Sequence, residues 1–178
     1  VRGRKTDGSW RTPFDPREVH HNHCGTGDFT EGNAAQWTWH VLHNPQGLIA
    51  AMGGKKAALE KLDALFASDS RLTGSECRVD VTGLIGQYAH GNEPSHHIPF
   101  LYALCDRADL AHARVSEICR KFYRPTPDGL AGNDDCGQMS AWLIFAALGR
   151  YPVTPCGTEG MVAFPSVYPG VKIRKGNT

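Results

Sequence analysis

The segment 136–148, CGQMSAWLIFAAL, is apolar on nearly every side of a helical wheel. A helix of that composition cannot float with one face in water. It has to be buried among other helices. The rest of the chain supplies candidate partners. Ala58, Leu62, Leu65 and Phe66 recur at helical spacing within 55–67, as do Ile98, Leu101, Tyr102 and Cys105, and then Val115, Ile118, Cys119 and Phe122. Pro125 and Pro127 end the last of these. A further helix is expected from near Thr30 to about His43, where Asn44-Pro45-Gln46-Gly47 interrupts it. A short apolar segment, Leu48–Met52, follows and is broken by Gly53-Gly54. Asn92 can cap the helix over the Ile98 stripe, with Pro94 in its first turn. The pattern predicts a mainly α chain with antiparallel helix pairs. Residues 1–27 read as a loop-rich entry, 28–150 as the helical portion, and 151–178 as a Pro- and Gly-rich tail with short β pieces such as Val171–Ile173. Val79–Ala89 is open between loop and short strand, because Val79 and Val81 alternate.

Composition narrows the function classes. At 178 residues the chain can bury one sizeable core, so one domain is the default. The formal charge of +1, with both signs spread along the chain, argues against a nucleic-acid or polybasic membrane surface. No apolar stretch approaches the roughly 20 residues that a membrane span requires. The chain opens on Val1 without a signal-peptide pattern, as expected of a processed chain or a piece of a longer one. Six cysteines, at 24, 77, 105, 119, 136 and 156, permit disulfides without indicating a pairing. Cys105 and Cys119 fall on helical stripes and read as small buried hydrophobes.

Three strings place an acid beside Gly and Asn just before an apolar run: DFTEGNAAQWTWH at 28–40, HGNEPSHHIPFLY at 90–102 and PDGLAGNDDCGQMSAW at 127–142. Any one of these acids can be a helix cap. Together, with tryptophans close by, Glu31, Glu93 and Asp135 suit a sugar-cleaving site. Such a site needs one protonated carboxyl for the leaving oxygen and one carboxylate as base or nucleophile. Asp135, at the start of the 136–148 helix, stands where free N–H groups favour the ionised form, which suits a base. Glu31 would need burial or a neighbouring carboxylate to stay protonated, and Phe29, Trp37 and Trp39 could supply an apolar wall. If the three strings converge, an inverting site would place the Glu31 and Asp135 carboxyls about 6.5–9.5 Å apart. Asn92, Glu93 and Gln138 offer amide and carboxylate oxygens that suit a hard cation such as calcium. Capping is the alternative for Asn92 and Glu93. HHNHC at 20–24 and the pair His96-His97 invite a zinc reading, but neither shows zinc-site spacing, and a polar loop lining a pocket is preferred.

The strings TEGNAAQWTWHVLHNPQGLIAAMGG, GNEPSHHIPFLY and PDGLAGNDDCGQMSAWLIFAALGRYPV closely resemble the core of the glycoside hydrolase family 92 α-mannosidases. The flanking VRGRKTDGSWRTPFDP and YPVTPCGTEGMVAFPSVYPGVKIRKGN are similar to that family as well, so the resemblance covers nearly the whole chain. It implies an exo-acting, calcium-dependent, inverting enzyme that removes terminal α-linked mannose, often α-1,2, from mannose-rich oligosaccharides or glycoprotein glycans. It also implies an (α/α)6 barrel paired with a β-sandwich domain, and a secreted, periplasmic or cell-surface location. By the same resemblance Glu31 is the general acid, Glu93 is associated with Ca2+ and Asp135 is the general base; Asn92 and Gln138 stand beside Glu93 as oxygen donors, and the adjacent Asp134 is a lesser candidate for the base. Trp37, Trp39, His96, His97 and Asn133 are candidates for substrate contact.

Two residues depart from the family pattern. The base string often reads G-D-E-D-x-G-Q, and here Asn133 replaces its first Asp. An amide cannot serve as a base, so that role falls on Asp135. Ala35 stands where the family usually has a bulky aromatic, and Trp37 could compensate. The chain is also several times shorter than the family's members, so its helices amount to part of a barrel, with the remainder of the catalytic and β-sandwich domains as an expected partner. Two alternatives stay open: a non-catalytic or degenerate glycan-binding fragment, favoured by Asn133 and by length, and another inverting glycosidase on an (α/α)6 toroid, acting on glucosides.

Overall fold

A computed structural model describes residues 5–10, 12–19, 28–74, 80–155, 161–172 and 174. The chain is mainly helical: α1 (Ala34–Trp37), α2 (Pro45–Ala51), α3 (Lys55–Ala67), α4 (Leu101–Leu104), α5 (Ala108–Phe122) and α6 (Gln138–Leu148). Its strands are short and pair two at a time. β1 (Glu18–Val19) runs parallel to β2 (Thr73–Gly74), while β3 (Leu84–Ile85) with β4 (Tyr88–Ala89), and β5 (Arg150–Pro152) with β6 (Met161–Ala163), are antiparallel. The principal core joins Leu62, Leu65 and Phe66 of α3, Val115 and Ile118 of α5, Trp142 and Ala146 of α6, and Phe100, Leu101 and Tyr102 between them. Tyr151 of β5 lies flat on Phe100, ring centroids 3.9 Å apart, so the tail strands complete this core rather than trailing from it.

The helical stripes of α3 and α5 behave as their spacing predicts, and Ala58, Leu62, Leu65 and Phe66 are all buried, whereas the all-round burial expected of 136–148 is not met. On α6, Met139, Trp142 and Ala146 enter the core, whereas Ile144 is 60 % exposed. The described residues therefore cover one side of this apolar helix and not the other.

Three expectations are corrected. The helix expected over Thr30–His43 is only the single turn of α1. The Thr38 hydroxyl donates to the Ala34 carbonyl at 2.6 Å, competing with the helical ladder, and Trp39 then turns into the core. The apolar segment after Asn44-Pro45 is itself a helix, α2, because the Asn44 side chain accepts from the Gly47 N–H and Pro45 fits the first turn. The helix expected after Asn92 is broken into 3-10 turns at Glu93–Ser95 and Ile98–Phe100 before α4. Pro99 has no N–H to continue an α ladder. Asn92 makes no side-chain cap and is engaged elsewhere. Of the region left open, 84–89 is the β3–β4 hairpin, while Val79 lies outside the described residues. Val171 belongs to no strand, and Ile173 lies outside the described residues, as do His20, His21, His23 and Cys24 of the histidine-rich string. Cys105, Cys119 and Cys136 are free thiols, and the other three cysteines are likewise outside.

Candidate active site

The three acidic strings are brought together by buried polar side chains. Asn33 caps α1 in a reciprocal box with Gln36, and both reach the β3–β4 turn: Asn33 Nδ2 donates to Gln87 Oε1 at 2.8 Å, and Gln36 Nε2 to the Gln87 carbonyl at 3.1 Å. Gln87 in turn donates to the Asp69 carbonyl at 2.6 Å. Asn92, 4 % exposed, donates to the backbone carbonyl of Glu31 at 2.8 Å and to its carboxylate at 3.3 Å. The first string is thus stitched directly to the second.

The second and third strings meet around His90. Tyr123 Oη donates to the Met139 carbonyl at 2.9 Å, which leaves it to accept from His90 Nε2 at 2.8 Å. His90 Nδ1 is then bare and accepts from Tyr88 Oη at 2.8 Å. Burial holds the His90 ring neutral, its pKa well below the ordinary value, and pushes the Tyr88 hydroxyl well above its own. Trp142 Nε1 donates to the His96 carbonyl at 3.0 Å, fixing α6 to the same loop. Backbone contact draws the strings closer still. A Cβ on Gly132 would stand 2.6 Å from the Gly91 carbonyl oxygen, so the two loops can approach only because a glycine is there.

This packing sets Glu31, Glu93 and Asp135 at one place. Glu93 is partly buried, and its carboxyl is held above the usual range first by burial, then by the adjacent Asp135 carboxylate, with Glu31 adding a further repulsion. Among the described residues none of the three acids forms an ion pair. Glu31 and Asp135 both lie in the left-handed region, at φ 51° and 45°, as does Cys136 at 56°. Non-glycine residues enter that region at a cost of about 1–2 kcal/mol, and such conformations gather at functional sites. Glu31 precedes its helix cap, Asn33, by two residues, and Asp135 precedes Gly137 by the same interval.

The remaining candidates divide. Asp134 turns away from the cluster: its carboxylate accepts from the Ser140 N–H at 2.9 Å and the Ser140 hydroxyl at 3.0 Å, as a helix-start brace. Trp37 is half-buried beside Glu31, donating to the Thr30 carbonyl at 2.9 Å and packing on His40 with ring centroids 4.7 Å apart. Asn133 is exposed at the rim. Trp39 and His97, each 4 % exposed, face the interior, where His97 Nε2 donates to the Trp39 carbonyl at 2.7 Å. Burial lowers the His97 pKa to about 4. The expectation that these two contact substrate is corrected to a core role, since enclosed side chains offer no surface to a sugar. His96, 2 % exposed, sits beneath the cluster rather than facing out.

The oxygen-rich donor set of Glu93, Asp135, Glu31, Asn92 and Gln138, whose acids have no ion pair among the described residues, suits a hard cation. Among the described residues no group of three His, Cys, Asp or Glu is already drawn to metal-binding distance. A cation here would therefore complete its shell with amide oxygens, water or a ligand.

Sequence reading missed Asn33, Gln36, Gln87, His90 and Tyr123 as the framework of the site. For Gln87 and His90 a signal existed: they are polar residues inside the mostly apolar run 81–90, where a buried polar side chain implies a satisfied partner.

Comparison with known proteins places this architecture. The chain is 43 % identical to an α-mannosidase of family GH92 from Bacteroides thetaiotaomicron determined in complex with mannoimidazole, over 86 % of this chain and 20 % of that one, with a TM-score of 0.74. A second structure of that Bacteroides enzyme gives 42 % identity over 86 % of this chain and 19 % of that one, at a TM-score of 0.69. The GH92 glycosyl hydrolase ccman5, at 22 % identity and a TM-score of 0.67 over 86 % of this chain and 22 % of its own, shares the fold. An uncharacterized secreted glycosidase of the fungus Arthroderma benhamiae is 30 % identical over 112 residues, 63 % of this chain and 12 % of its own length. The chain spans about a fifth of the solved structures it matches and still less of the fungal relative. The family model for the glycosyl hydrolase family 92 catalytic domain matches residues 1–178, and the chain belongs to that family.

Proposed function

We propose that this chain is the acid- and base-bearing part of an exo-acting, calcium-dependent, inverting α-mannosidase that releases terminal α-1,2-linked mannose from mannose-rich glycans. The observation that carries the reading is the meeting of Glu31, Glu93 and Asp135, from three separate strings, with no ion pair to any of them among the described residues. The Bacteroides relative was determined with mannoimidazole, which supports a mannose-shaped pocket here. The helices form an arc of an (α/α)6 barrel, and the remaining helices and a β-sandwich domain are its partners. The fungal relative described as secreted supports action outside the cytoplasm.

In this mechanism Glu31 donates a proton to the glycosidic oxygen as the bond to the anomeric carbon breaks. Asp135 takes a proton from a water that attacks the opposite face, and the anomeric configuration inverts. Asp134 cannot share that work while its carboxylate is committed to Ser140. Glu93, Asn92 and Gln138 would hold the calcium, which supplies electrostatic stabilisation to the sugar's transition state when bound. Trp37 walls the acid side.

The test is mannose release from α-1,2-mannobiose, with the first-formed anomer followed by proton NMR. β-Mannose that disappears on adding a chelator is the expected product. α-Mannose as the first product sinks the inverting mechanism, and full activity in excess EDTA sinks the metal. A second reading, glycan binding without turnover, is favoured by Asn133 in place of a family carboxylate. Mannobiose binding with no hydrolysis of even an activated aryl mannoside would establish it instead.

A further inference from the structure

Beneath the acidic cluster, His96 Nε2 lies 2.9 Å from the His90 carbonyl oxygen. A carbonyl only accepts, so Nε2 carries the ring proton and Nδ1 of the neutral ring is a bare lone pair. That lone pair is 3.2 Å from the side-chain amide of Gln138. Only the NH2 end of an amide can satisfy a bare lone pair, so the amide nitrogen faces His96 and Gln138 Oε1 is turned away from it. The ring has no freedom to choose otherwise. It is 2 % exposed, its carbonyl is held by Trp142 Nε1 at 3.0 Å, and the His90 ring packs against it with centroids 5.2 Å apart.

We propose that His96 is a positioning residue. Its bare Nδ1 orients the Gln138 amide so that the amide oxygen, and not its nitrogen, is offered to a hard cation at the Glu93–Asp135 cluster. The inference rests on the calcium reading above but assigns a separate thing, the source of Gln138's orientation. Without that brace the amide can rotate by half a turn and present two N–H donors, which repel a cation. His96 thereby acts on the cation without touching it, and it leaves the substrate-contact role that its sequence position suggested.

The test has two readouts besides turnover. The first is the tautomer of His96 in the full chain without metal, read from the nitrogen NMR shifts of the ring. A proton on Nε2 is expected, and a proton on Nδ1 overturns the proposal. The second is calcium affinity by calorimetry for the unaltered chain, Gln138→Met, His96→Phe and the double variant. Each single substitution is expected to weaken calcium binding, and the double variant to lose no more than Gln138→Met alone, because a residue acting only through Gln138 has nothing left to orient. Additive losses overturn the proposal and leave the calcium reading standing, as does unchanged affinity in Gln138→Met. An unaltered chain that binds no calcium overturns both. Should His96→Phe fail to fold, the tautomer and Gln138→Met still decide.

Discussion

The floor of the site and its mouth both carry polar side chains and treat them in opposite ways. On the floor, Tyr88, His90, Tyr123, His96 and Trp142 are linked in one sense of donation, hydroxyl to ring, ring to hydroxyl, hydroxyl to carbonyl, with their hydrogen bonds met within the chain. At the mouth, Glu31, Glu93 and Asp135 stand together with no ion pair among the described residues, and the proton on Glu93 is held more tightly than usual. Elsewhere the fold pairs its acids with ease, as in Glu117 between Arg114 and Lys121 or Asp109 with Arg107. Acids gathered together without a cationic partner among the described residues are candidates for balance by a ligand.

Substitutions can break this contrast. The largest effect is expected at the mouth. Asp135→Asn should lower kcat by about 10²–10⁴-fold with little change in KM, because a base acts in the transition state. Asp134→Asn, whose amide oxygen can still accept from Ser140, should cost less than about tenfold. Equal losses in a steady-state assay would mean that the two carboxylates work as one pool. Glu31→Gln comes next. It should lose about 10²-fold or more on mannosides with poor leaving groups and far less on dinitrophenyl mannoside, which leaves without a proton. A uniform loss across leaving groups would remove Glu31 as the acid.

The floor should respond in stability rather than in turnover chemistry. His90→Phe strands the buried Tyr88 hydroxyl and one side of Tyr123, and is expected to lower unfolding free energy by on the order of 2 kcal/mol, measured by denaturant titration. No change would mean that the relay is not a brace. The pH response is the remaining contrast, and here the two groups should diverge in sign. His97, pushed down to about 4 by burial, is neutral in the folded chain while its unfolded counterpart protonates below about 6.5. The stability it contributes is full above 6.5 and is lost as pH falls toward 4. Glu93, raised above 4.5, does the reverse: its contribution is full below 4.5 and is lost as pH rises through the folded value. Calcium should cancel the Glu93 effect and bind more tightly as that proton leaves. Metal affinity independent of pH across the acid range would separate Glu93 from the cation.

Much of this was legible in sequence, for a physical reason. The stripes of α3 and α5 are set by period alone, and Glu31, Glu93 and Asp135 stood out because acids beside Gly and Asn recur before apolar runs. What could not be read were effects carried by partners distant in the chain. The Thr30–His43 pattern is helical in period, yet Trp39 is drawn into a core built by later segments. Asn92 reads as a cap until Glu31, 61 residues away, supplies a carbonyl for it. His97 and Trp39 read as sugar-facing because aromatic and imidazole groups often are, but burial is a property of the assembled chain. Gln87 and His90 were the readable exceptions, marked by polarity beside Leu84, Ile85 and Ala89.

The left-handed backbone at Glu31 and Asp135 has an evolutionary consequence. At each position glycine would relieve the strain, so a screen that rewards only thermal stability will enrich Glu31→Gly and Asp135→Gly, the two changes that would remove the proposed acid and base. Improvement of this chain by directed evolution therefore has to score turnover in every round. Lineages propagated on heat resistance alone will drift toward well-folded proteins that have forgotten how to cut.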